Sequence, residues 1–343
     1  MRRALLKWFG ANARVLPWRG ASDPYAVWVS EIMLQQTQIA TVIPFYQRFI
    51  KVFPTVQDLA RAPLERVLEI WSGLGYYRRA RFLHQAAQAV TERFAGKFPA
   101  DDAQLRSLPG IGEYTAKAVL SIAFNQPYAV LDGNVARVVA RLRGLRGNLH
   151  QPPFRRAVED TLSGLLSVRA PGNFNQAMME LGQTVCLPHA PRCLACPLAK
   201  WCQGFRSGDP EAFPLPRPRR AAESHHLAVA ILRHGTRVAL ARGLDDGLLS
   251  DLWNFPSAFG ASPAEALEAL RRKIRGFTRG TFTIGEAITE FRHGITFRAI
   301  RGQAYPVETA QPLRHASLRW FEIKDLPQAA VSQLARKIAQ KLA

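Results

Sequence analysis

The chain has 343 residues, is 48% hydrophobic, and carries a formal net charge of +20 from 46 Lys and Arg against 26 Asp and Glu. It is long enough to bury a core without disulfides, and no apolar run approaches the ~18 residues of a membrane span. A strongly basic folded chain is typical of a polyanionic partner, above all nucleic acid, although a solvated basic surface is the simpler alternative. The first residues, MRRALLKWFGANARVLPWRG, lack a signal-peptide cleavage site, so we expect a cytosolic protein.

Apolar residues recur at helical spacing through residues 1–204, with no alternating strand pattern. The clearest predicted helices are 61–80, which stops at Gly73 and Gly75, then 82–94, 114–124 and 135–142. A proline- and arginine-rich stretch over 205–224 has little to bury and is typical of a linker.

From residue 225 the periodicity becomes strand-like. The predicted elements are a hairpin over 226–242 with a His-Gly turn, a helix over 263–274, strands over 282–291 and 294–307, and an amphipathic helix over 331–342. We therefore predict a multidomain chain with an all-α domain at 1–204, a linker at 205–224 and an α+β domain at 225–343.

The stretch LPGIGEYTAKAVLSIAF (108–124) predicts a tight turn that opens directly into a helix. Gly110 and Gly112 allow a sharp bend and a close approach of another backbone. The unpaired amides at the start of the helix then favour an anion, for which DNA phosphate is the obvious candidate. A plain connection between two helices is the alternative.

Two acids lie in unusual settings. Glu31 lies among apolar residues in DPYAVWVSEIMLQQTQ (23–38), and Asp132 lies before a Gly-Asn turn in AVLDGNVARV (129–138). A carboxyl in an apolar setting tends to keep its proton, and a second one near a turn can stay ionised, which is the layout that cleaves glycosidic bonds. The alternatives are a surface ion pair for Glu31 and a helix cap for Asp132.

All four cysteines fall within seventeen residues, at Cys186, Cys193, Cys196 and Cys202, with the spacing C-x6-C-x2-C-x5-C. Disulfides are unexpected in a long cytosolic chain. Structural zinc usually uses two close pairs separated by a longer span, whereas iron–sulfur clusters use compact runs of four thiolates. The spacing favours a [4Fe–4S] cluster over zinc.

Together these stretches resemble the helix-hairpin-helix DNA glycosylases, and in particular the MutY-type adenine DNA glycosylases. The resemblance covers nearly the whole chain, in the family's order: LPWR (16–19), SEIMLQQTQ (30–38), GLGYY (73–77), LPGIGEYTA (108–116), LDGNV (131–135), FNQAMMELG (174–182) and the four-cysteine run. The related endonuclease III shares the hairpin, the aspartate and the cluster. Its lyase activity needs a lysine where this chain has Tyr114, which favours a MutY-type enzyme with little or no lyase activity.

The resemblance implies a mechanism for removing an adenine flipped out of the duplex. Glu31 would protonate N7 and later activate water, Asp132 would stabilise the oxocarbenium ion, and Tyr114 and Asn134 would hold Asp132. It also implies an adenine pocket and two lesion-strand residues. The pocket residues are Trp18, Arg19, Leu34, Ile39 and Gln176; the lesion-strand residues are Gln36 and Tyr76.

The resemblance further assigns DNA contacts to Leu74, Gly110, Gly112 and Arg192. Tyr76 would act as an intercalating wedge, although core packing is the alternative for Tyr76 and Tyr77. The four cysteines would hold a structural [4Fe–4S] cluster that shapes the loop 187–192, where His189 could add to the positive charge of Arg192.

The second domain resembles the Nudix-like domain with which MutY recognises 8-oxoguanine. The catalytic Nudix box is absent from ASPAEALEALRRKIRGF (261–277), so we expect no pyrophosphohydrolase activity. Two positions depart from the family. The family's Phe-Ser-His turn is Ile295-Thr296-Phe297, in which Thr296 keeps a hydroxyl, and Asp251 replaces a glycine. Both departures predict a weakened preference for 8-oxoguanine.

We therefore expect a monofunctional enzyme that excises adenine opposite 8-oxoguanine or guanine in double-stranded DNA. It would be a monomer without membrane contact, cytoplasmic and associated with a bacterial nucleoid. One alternative is a related glycosylase for another base, such as thymine opposite guanine. The other is a cluster-bearing DNA-binding sensor without catalysis, which the presence of both Glu31 and Asp132 disfavours.

Overall fold

The computed structural model describes residues 1–216, 221, 223–250, 252–295, 297–327 and 329–342. Asp251, Thr296 and the predicted linker residues 217–220 and 222 lie outside these residues. The chain divides into two compact units, each packed mainly on itself. We call Met1–Ala62 with Phe82–Pro218 the helical unit, and Pro63–Arg81 with Arg219–Ala343 the C-terminal unit.

Helices account for most of the first 206 residues, which confirms the all-α prediction for this part of the chain. In chain order they are α1 (Arg2–Asn12), α2 (Pro24–Leu34), α3 (Ile39–Val52), α4 (Val56–Arg61), α5 (Leu64–Trp71), α6 (Arg78–Arg93), α7 (Asp102–Arg106), α8 (Glu113–Ile122), α9 (Gly133–Arg143), α10 (Pro152–Leu165), α11 (Pro171–Thr184) and α12 (Gln203–Arg206). Among the described residues, none of the helices is both long enough and apolar enough to cross a lipid bilayer.

The core of the helical unit forms where α9 and α11 pack on each other and on α1. The buried residues of α9 include Val135, Val138, Val139 and Leu142, the i, i+3, i+4, i+7 spacing of one helical face. The helix ends at Gly144, which adopts the left-handed conformation (φ 63°) that glycine reaches without steric cost. The packing of α9 therefore fixes the position of its first residue and of Asp132, which directly precedes it.

The predicted helix over 61–80 is shorter in the structure. It begins at Leu64, after Pro63, and ends at Trp71, before the two glycines. The segment belongs to the C-terminal unit because it bonds to residues there. Arg336 donates to the Ser72 hydroxyl at 2.6 Å, and Arg319 pairs with Glu65 at 3.1 Å.

Residues 205–216 of the predicted linker pack on the helical unit, whereas residues 223 and 224 already belong to β1. Phe213 is buried in the core of that unit, and its carbonyl accepts a hydrogen bond from Arg141. The Leu215 amide donates to the Gly147 carbonyl. Because the stretch has a low apolar content, its sequence did not indicate that Phe213 is buried. The domain boundaries at 204 and 225 stay a prediction.

The C-terminal unit contains one mixed sheet and two further helices, as the α+β prediction requires. The strands are β1 (Glu223–His234), β2 (Arg237–Arg242), β3 (Trp253–Asn254), β4 (Ser257–Gly260), β5 (Phe282–Ile284), β6 (Thr289–Ile295), β7 (Arg298–Thr309) and β8 (Leu318–Glu322); the helices are α13 (Pro263–Phe277) and α14 (Gln333–Ala339). Strand β1 is parallel to β7 and antiparallel to β2 and β4, while β7 is antiparallel to β5 and β6.

Both faces of β1 are buried, each against a different helix. Leu227, Val229 and Ile231 join the cluster that contains α14, and the alternate residues Ala228 and Ala230 join the cluster that contains α13. This period of two is the geometry of a strand, and it explains why the run 227–232 is apolar throughout.

The predicted hairpin over 226–242 and the helix from Pro263 are confirmed, and three other predictions need correction. Residues 282–291 form two strands separated by 285–288, and residues 294 and 295 belong to β6, not to the next strand. The last helix begins at Gln333, because Val331 pairs with Trp253 as an isolated bridge and Ser332 caps the helix.

Candidate active site

Glu31 lies on α2, a helix that is buried on almost every side. Asp23 caps its first turn by accepting hydrogen bonds from the amides of Tyr25 and Ala26. The neighbours Trp28, Val29, Ile32 and Met33 are buried, and Glu31 itself is only 7% exposed. The Glu31 carboxyl is therefore buried on an apolar helix that packs against α8.

Burial raises the pKa of Glu31 from 4.5 to about 7. A hydrogen bond from the Tyr114 hydroxyl to the carboxylate opposes this rise in pKa, and the negative charge of Asp132 adds to it. Glu31 can therefore hold a proton near neutral pH and give it up to a base, as a general acid requires.

Tyr114 lies in the first turn of α8, directly after the hairpin. The residue is half-buried, and desolvation of its phenol together with the charges of Glu31 and Asp132 raises its pKa well above the usual 10. The hydroxyl therefore stays protonated, and its oxygen also lies 3.8 Å from Met179 Sδ on α11. Tyr114 thus lies between the two predicted catalytic acids.

Asp132 is the N-cap of α9, and its two carboxylate oxygens have separate donors. One accepts from the Val135 amide at 2.7 Å, and the other accepts from the Asn134 side-chain amide at 2.9 Å. N–H donors and the positive end of the helix dipole stabilise a carboxylate charge. The cap role and the predicted charge-stabilising role are compatible, because capping fixes the orientation of the carboxylate.

A chain of hydrogen bonds continues from Asn134. Its side-chain oxygen accepts from Arg137 at 3.1 Å, and Arg137 also donates to the carbonyls of Gly182 and Cys186 at 2.7 and 2.9 Å. Hydrogen bonds therefore link Asp132 and Asn134 to the first residue of the cysteine segment, whereas Glu31 and Tyr114 form a separate hydrogen-bonded pair that feels the charge of Asp132.

Arg19 is held in place by a buried acid. Glu180 on α11 is 1% exposed and binds Arg19 at 2.9 Å and Arg14 at 2.5 Å. These two arginines lower the pKa of Glu180 against the effect of burial. The Arg19 Nε and Nη1 atoms are buried and have no hydrogen-bond partner among the described residues. The Arg19 guanidinium can therefore donate hydrogen bonds from two buried nitrogens to a bound acceptor.

The other predicted adenine-pocket residues lie on several elements of the helical unit. Trp18 is buried with its ring edge-on to Tyr46, Leu34 ends α2, Ile39 begins α3, and Gln176 lies on α11, half-buried. Their grouping around one base stays a prediction. Gln36, in the loop between α2 and α3, is exposed with φ 56°, a strained value for a non-glycine residue.

The GLGYY stretch forms a tight turn in the C-terminal unit. Tyr77 is buried and its hydroxyl accepts from the Gly73 amide at 3.0 Å, whereas Tyr76 is 45% exposed and has φ 50°. The core-packing alternative therefore applies to Tyr77 and not to Tyr76. The Leu74 side chain is buried and its amide donates to the Trp71 carbonyl at 3.0 Å, so its predicted DNA contact stays a prediction.

The predicted anion-binding turn is present between α7 and α8. Gly110 has φ 75°, and a Cβ atom there would lie 2.6 Å from the Phe82 Cβ, so the turn requires glycine. Gly112 caps α8 in open space, which leaves the first amides of the helix accessible. Glu113, in the first turn of α8, is paired with Lys117 at 2.7 Å and Arg155 at 3.4 Å.

The four cysteine thiols line one small cavity. Buried Arg141 on α9 closes one side of it, donating to the carbonyls of Leu187 and Pro188 and to Cys186 Sγ at 3.5 Å. No group of three His, Cys, Asp or Glu side chains in the described residues is arranged to hold a single metal ion. Four converging thiols beside a buried cation are a donor set that fits an anionic iron–sulfur cluster.

The loop 187–192 differs in charge from the expectation. Arg192 is exposed, as a phosphate contact requires. His189 instead contacts the Glu211 carboxylate at 3.0 Å, and that carboxylate also accepts from the Ala190 amide. Arg192 therefore carries the positive charge of this loop in the described residues, and Glu211 would neutralise a positive charge on His189.

The sequence did not single out Arg137, Arg141, Met179 or Glu180. The two arginines stand on an amphipathic helix, where arginine is usually solvent-facing, and the carbonyls that hold them lie more than 40 residues away. Glu180 carried a weak signal, since it is an acid in the otherwise apolar stretch AMMELG.

A buried acid on α2, a capped aspartate on α9 and a glycine turn opening α8 define the helix-hairpin-helix class of DNA glycosylases. A family model described as HhH-GPD superfamily base excision DNA repair protein matches residues 29–163, which include Glu31, Tyr114 and Asp132. The solved structure of a thermostable thymine-DNA glycosylase is 25% identical, with a TM-score of 0.55, and covers 60% of this chain and 95% of that one. An endonuclease III in a non-covalent DNA complex has the same fold, at 24% identity and a TM-score of 0.51 over 60% of this chain and 94% of that one.

The adenine DNA glycosylase of Homo sapiens is 35% identical over 98% of this chain and 73% of the human protein. The chain belongs to the adenine DNA glycosylase family.

Proposed function

We propose that this chain is a monofunctional glycosylase that excises mispaired adenine from double-stranded DNA in base excision repair. The observation that carries the proposal is the pairing of Glu31, buried with a pKa of about 7, with Asp132, whose carboxylate is fixed by two N–H donors. Family membership and the 35% identity to a named adenine DNA glycosylase support the choice of base.

The residues divide the reaction between them. Glu31 gives its proton to N7 of the flipped adenine, so that the base leaves as a neutral group and the sugar becomes an oxocarbenium ion. The Asp132 charge stabilises that cation, while Asn134 and the α9 amide hold the carboxylate in place. Ionised Glu31 then takes a proton from the water that attacks the sugar.

Arg19 supports recognition of the base. Its two buried donors without partners match the ring nitrogens of a purine, which accept hydrogen bonds. Glu180 fixes the guanidinium and balances its charge. We place the base between this arginine and the predicted pocket residues Trp18, Leu34, Ile39 and Gln176.

We also propose that the four cysteines hold a [4Fe–4S] cluster. When bound, it supplies a structural cross-link of four thiolates and takes no part in base excision. Cys186, Cys193, Cys196 and Cys202 would be its ligands, with Arg141 balancing its negative charge. The bound cluster would hold the loop 187–192 in place, so that Arg192 can contact a DNA phosphate.

Iron analysis tests the cluster. The purified protein should contain about four iron atoms and equal acid-labile sulfide per chain, with a broad absorption band near ~400 nm. Arg192→Ala serves as the control, because it alters the loop without removing a ligand. One zinc ion and no iron would contradict the assignment.

The preferred partner is proposed to be adenine opposite 8-oxoguanine or guanine, bound by a monomer at the bacterial nucleoid. The C-terminal unit presents Phe297 in the turn between β6 and β7, where it offers no polar atom to an oxidised base. We therefore propose that the preference for 8-oxoguanine over guanine is smaller than in relatives with histidine there.

Base release from matched duplexes tests the function. Duplexes with adenine opposite 8-oxoguanine, adenine opposite guanine, thymine opposite guanine and fully paired adenine are incubated under single-turnover conditions. The proposal expects free adenine from the first two and little from the others. Release of thymine instead would favour a glycosylase for another base. Release of no base would favour a DNA-binding sensor without catalysis.

The pH dependence follows from Glu31. Because burial raises its pKa to about 7, the acid is almost fully protonated well below pH 7, half-protonated near pH 7 and ionised above it. The single-turnover rate should be flat below pH 7 and fall about tenfold per pH unit above it. A rate that is constant to pH 9 would show that Glu31 does not act as the acid.

Strand cleavage should be weak or absent after base release. A lyase needs an amine to form a Schiff base, whereas Tyr114 has none and the Lys117 amine is held by Glu113 at 2.7 Å. Borohydride should therefore trap little covalent adduct. A high yield of adduct that disappears in Lys117→Ala would contradict this placement of the lysine.

A further inference from the structure

Three basic side chains lie in one row across three adjacent strands of the C-terminal sheet. Arg292 on β6 pairs with Arg301 on β7, and Arg301 pairs with His226 on β1. Paired residues point to the same face of a sheet, so the three side chains stand next to one another. The next strand, β4, places Gly260 at this level and adds no side chain.

The two arginines of this row have no carboxylate partner among the described residues. Both are exposed, and no described ion pair or hydrogen bond engages either guanidinium. Glu290, on the same face of β6, instead accepts a hydrogen bond from Gln303 at 2.8 Å. Like charges directly opposite each other destabilise a sheet, so the pair costs stability unless an anion neutralises it.

The row borders a cavity of about 410 Å³ on the sheet face that packs against α13. Gln303, Tyr305 and Ala266 contribute to its lining, and Tyr305 donates to Gln303 at 2.7 Å. Exposed Arg292 and Arg301 and half-buried His226 all line this cavity. It therefore has room for an anion beside the arginines.

We propose that Arg292, Arg301 and His226 form a binding site for phosphate of the DNA backbone. Arginine forks match the geometry of phosphate oxygens, and two side by side can hold one phosphate or two successive ones. Strand β6 ends at Ile295, three residues or ~10 Å beyond Arg292, directly before the position to which the resemblance assigns lesion recognition. The site would hold the backbone near the base opposite the adenine, so it rests on the proposed function.

Salt-dependent DNA binding tests the site in the full-length protein. The variant Arg292→Ala/Arg301→Ala is compared with Arg272→Ala/Arg275→Ala, which removes two exposed arginines from α13 in the same unit. Loss of a phosphate contact lowers the slope of log K against log salt by about 1, so the row variant should lower it by about 2. The control should change it by less than half as much, and the row variant should weaken binding equally for duplexes with guanine and with 8-oxoguanine.

Two further measurements separate a binding role from a structural one. The melting temperature of the row variant without DNA should be no lower than that of the wild type, because a repulsive pair has been removed. Arg292→Lys/Arg301→Lys keeps both charges and should retain the wild-type salt slope. Equal slopes for the alanine row variant and its control, or a lower melting temperature with no slope change, would overturn the proposal.

The source of the phosphate is decided with sodium tripolyphosphate. If tripolyphosphate raises the melting temperature only when the row is intact, while DNA binding is unaffected by the row, the site takes a free phosphate compound and the DNA proposal fails. The slopes can be measured on undamaged duplex, without any base release. An inactive wild type would therefore refute the proposed function alone, and normal adenine release with equal slopes would refute the phosphate site alone.

Discussion

Glu31→Gln is expected to lower the single-turnover rate of adenine release by about 10³-fold. The amide has nearly the shape of the carboxyl but no acidic proton to give to N7. DNA affinity should change little, because phosphate contacts supply most of it. The measurement is adenine release from a duplex with adenine opposite 8-oxoguanine, with equilibrium binding of the same duplex.

The same variant should gain stability at alkaline pH. A carboxyl with a raised pKa in the folded protein contributes stability that is lost as pH rises from 4.5 to about 7. Above pH 7 the variant should therefore unfold with a free energy about 3 kcal/mol higher than the wild type, and the gain should vanish near pH 4. Denaturant unfolding at both pH values measures it.

Glu159→Gln is the matched control, since Glu159 is a partly exposed acid on α10 that pairs with Arg155 at 2.7 Å. Its rate and its pH-dependent stability should match the wild type. If Glu31→Gln keeps more than a tenth of the wild-type rate, Glu31 is not the general acid, whatever its effect on stability.

Asp132→Asn is expected to lower the same rate by about 10²- to 10³-fold, for a different reason. The variant keeps an oxygen that can accept from the Val135 amide, so the cap of α9 should survive. It loses the negative charge that faces the oxocarbenium ion and the second oxygen that accepts from the Asn134 side chain. Single-turnover adenine release and a melting curve should show a slow enzyme of nearly normal stability.

Asp101→Asn makes the same change at another helix cap. Asp101 caps α7 by accepting from the Gln104 amide at 2.9 Å, on the exposed surface. This control should excise adenine at the wild-type rate. An equal loss of rate in both variants would assign the effect of Asp132→Asn to helix capping and not to charge.

Local patterns indicated an apolar setting for Glu31, with a surface ion pair left open, and predicted the helix that follows Asp132. The apolar neighbours of Glu31 surround it on a helix, and a Gly-Asn turn after an aspartate is a common helix start. The strands missed from the sequence, β3, β4 and β8, have two to five residues, which is too short for an alternating pattern to be distinct. Such strands depend on their sheet partners for stability.

Long-range contacts explain what the sequence did not reveal about the site. Glu180 forms ion pairs with Arg14 and Arg19, which lie far from it in the sequence. No local pattern in the sequence predicts such a contact. The left-handed backbone of Gln36 and Tyr76 was also unpredicted, because propensity disfavours it for residues other than glycine. Such conformations persist only where the surrounding structure imposes them.

The most direct test of the account is chromatographic identification of the base released in a single turnover from a duplex with one adenine opposite 8-oxoguanine. Wild type and Asp101→Asn should release free adenine at the same rate, while Glu31→Gln and Asp132→Asn should release almost none although they bind the duplex. Adenine release at the wild-type rate by either acid variant would contradict the assignment of Glu31 and Asp132 as the catalytic pair.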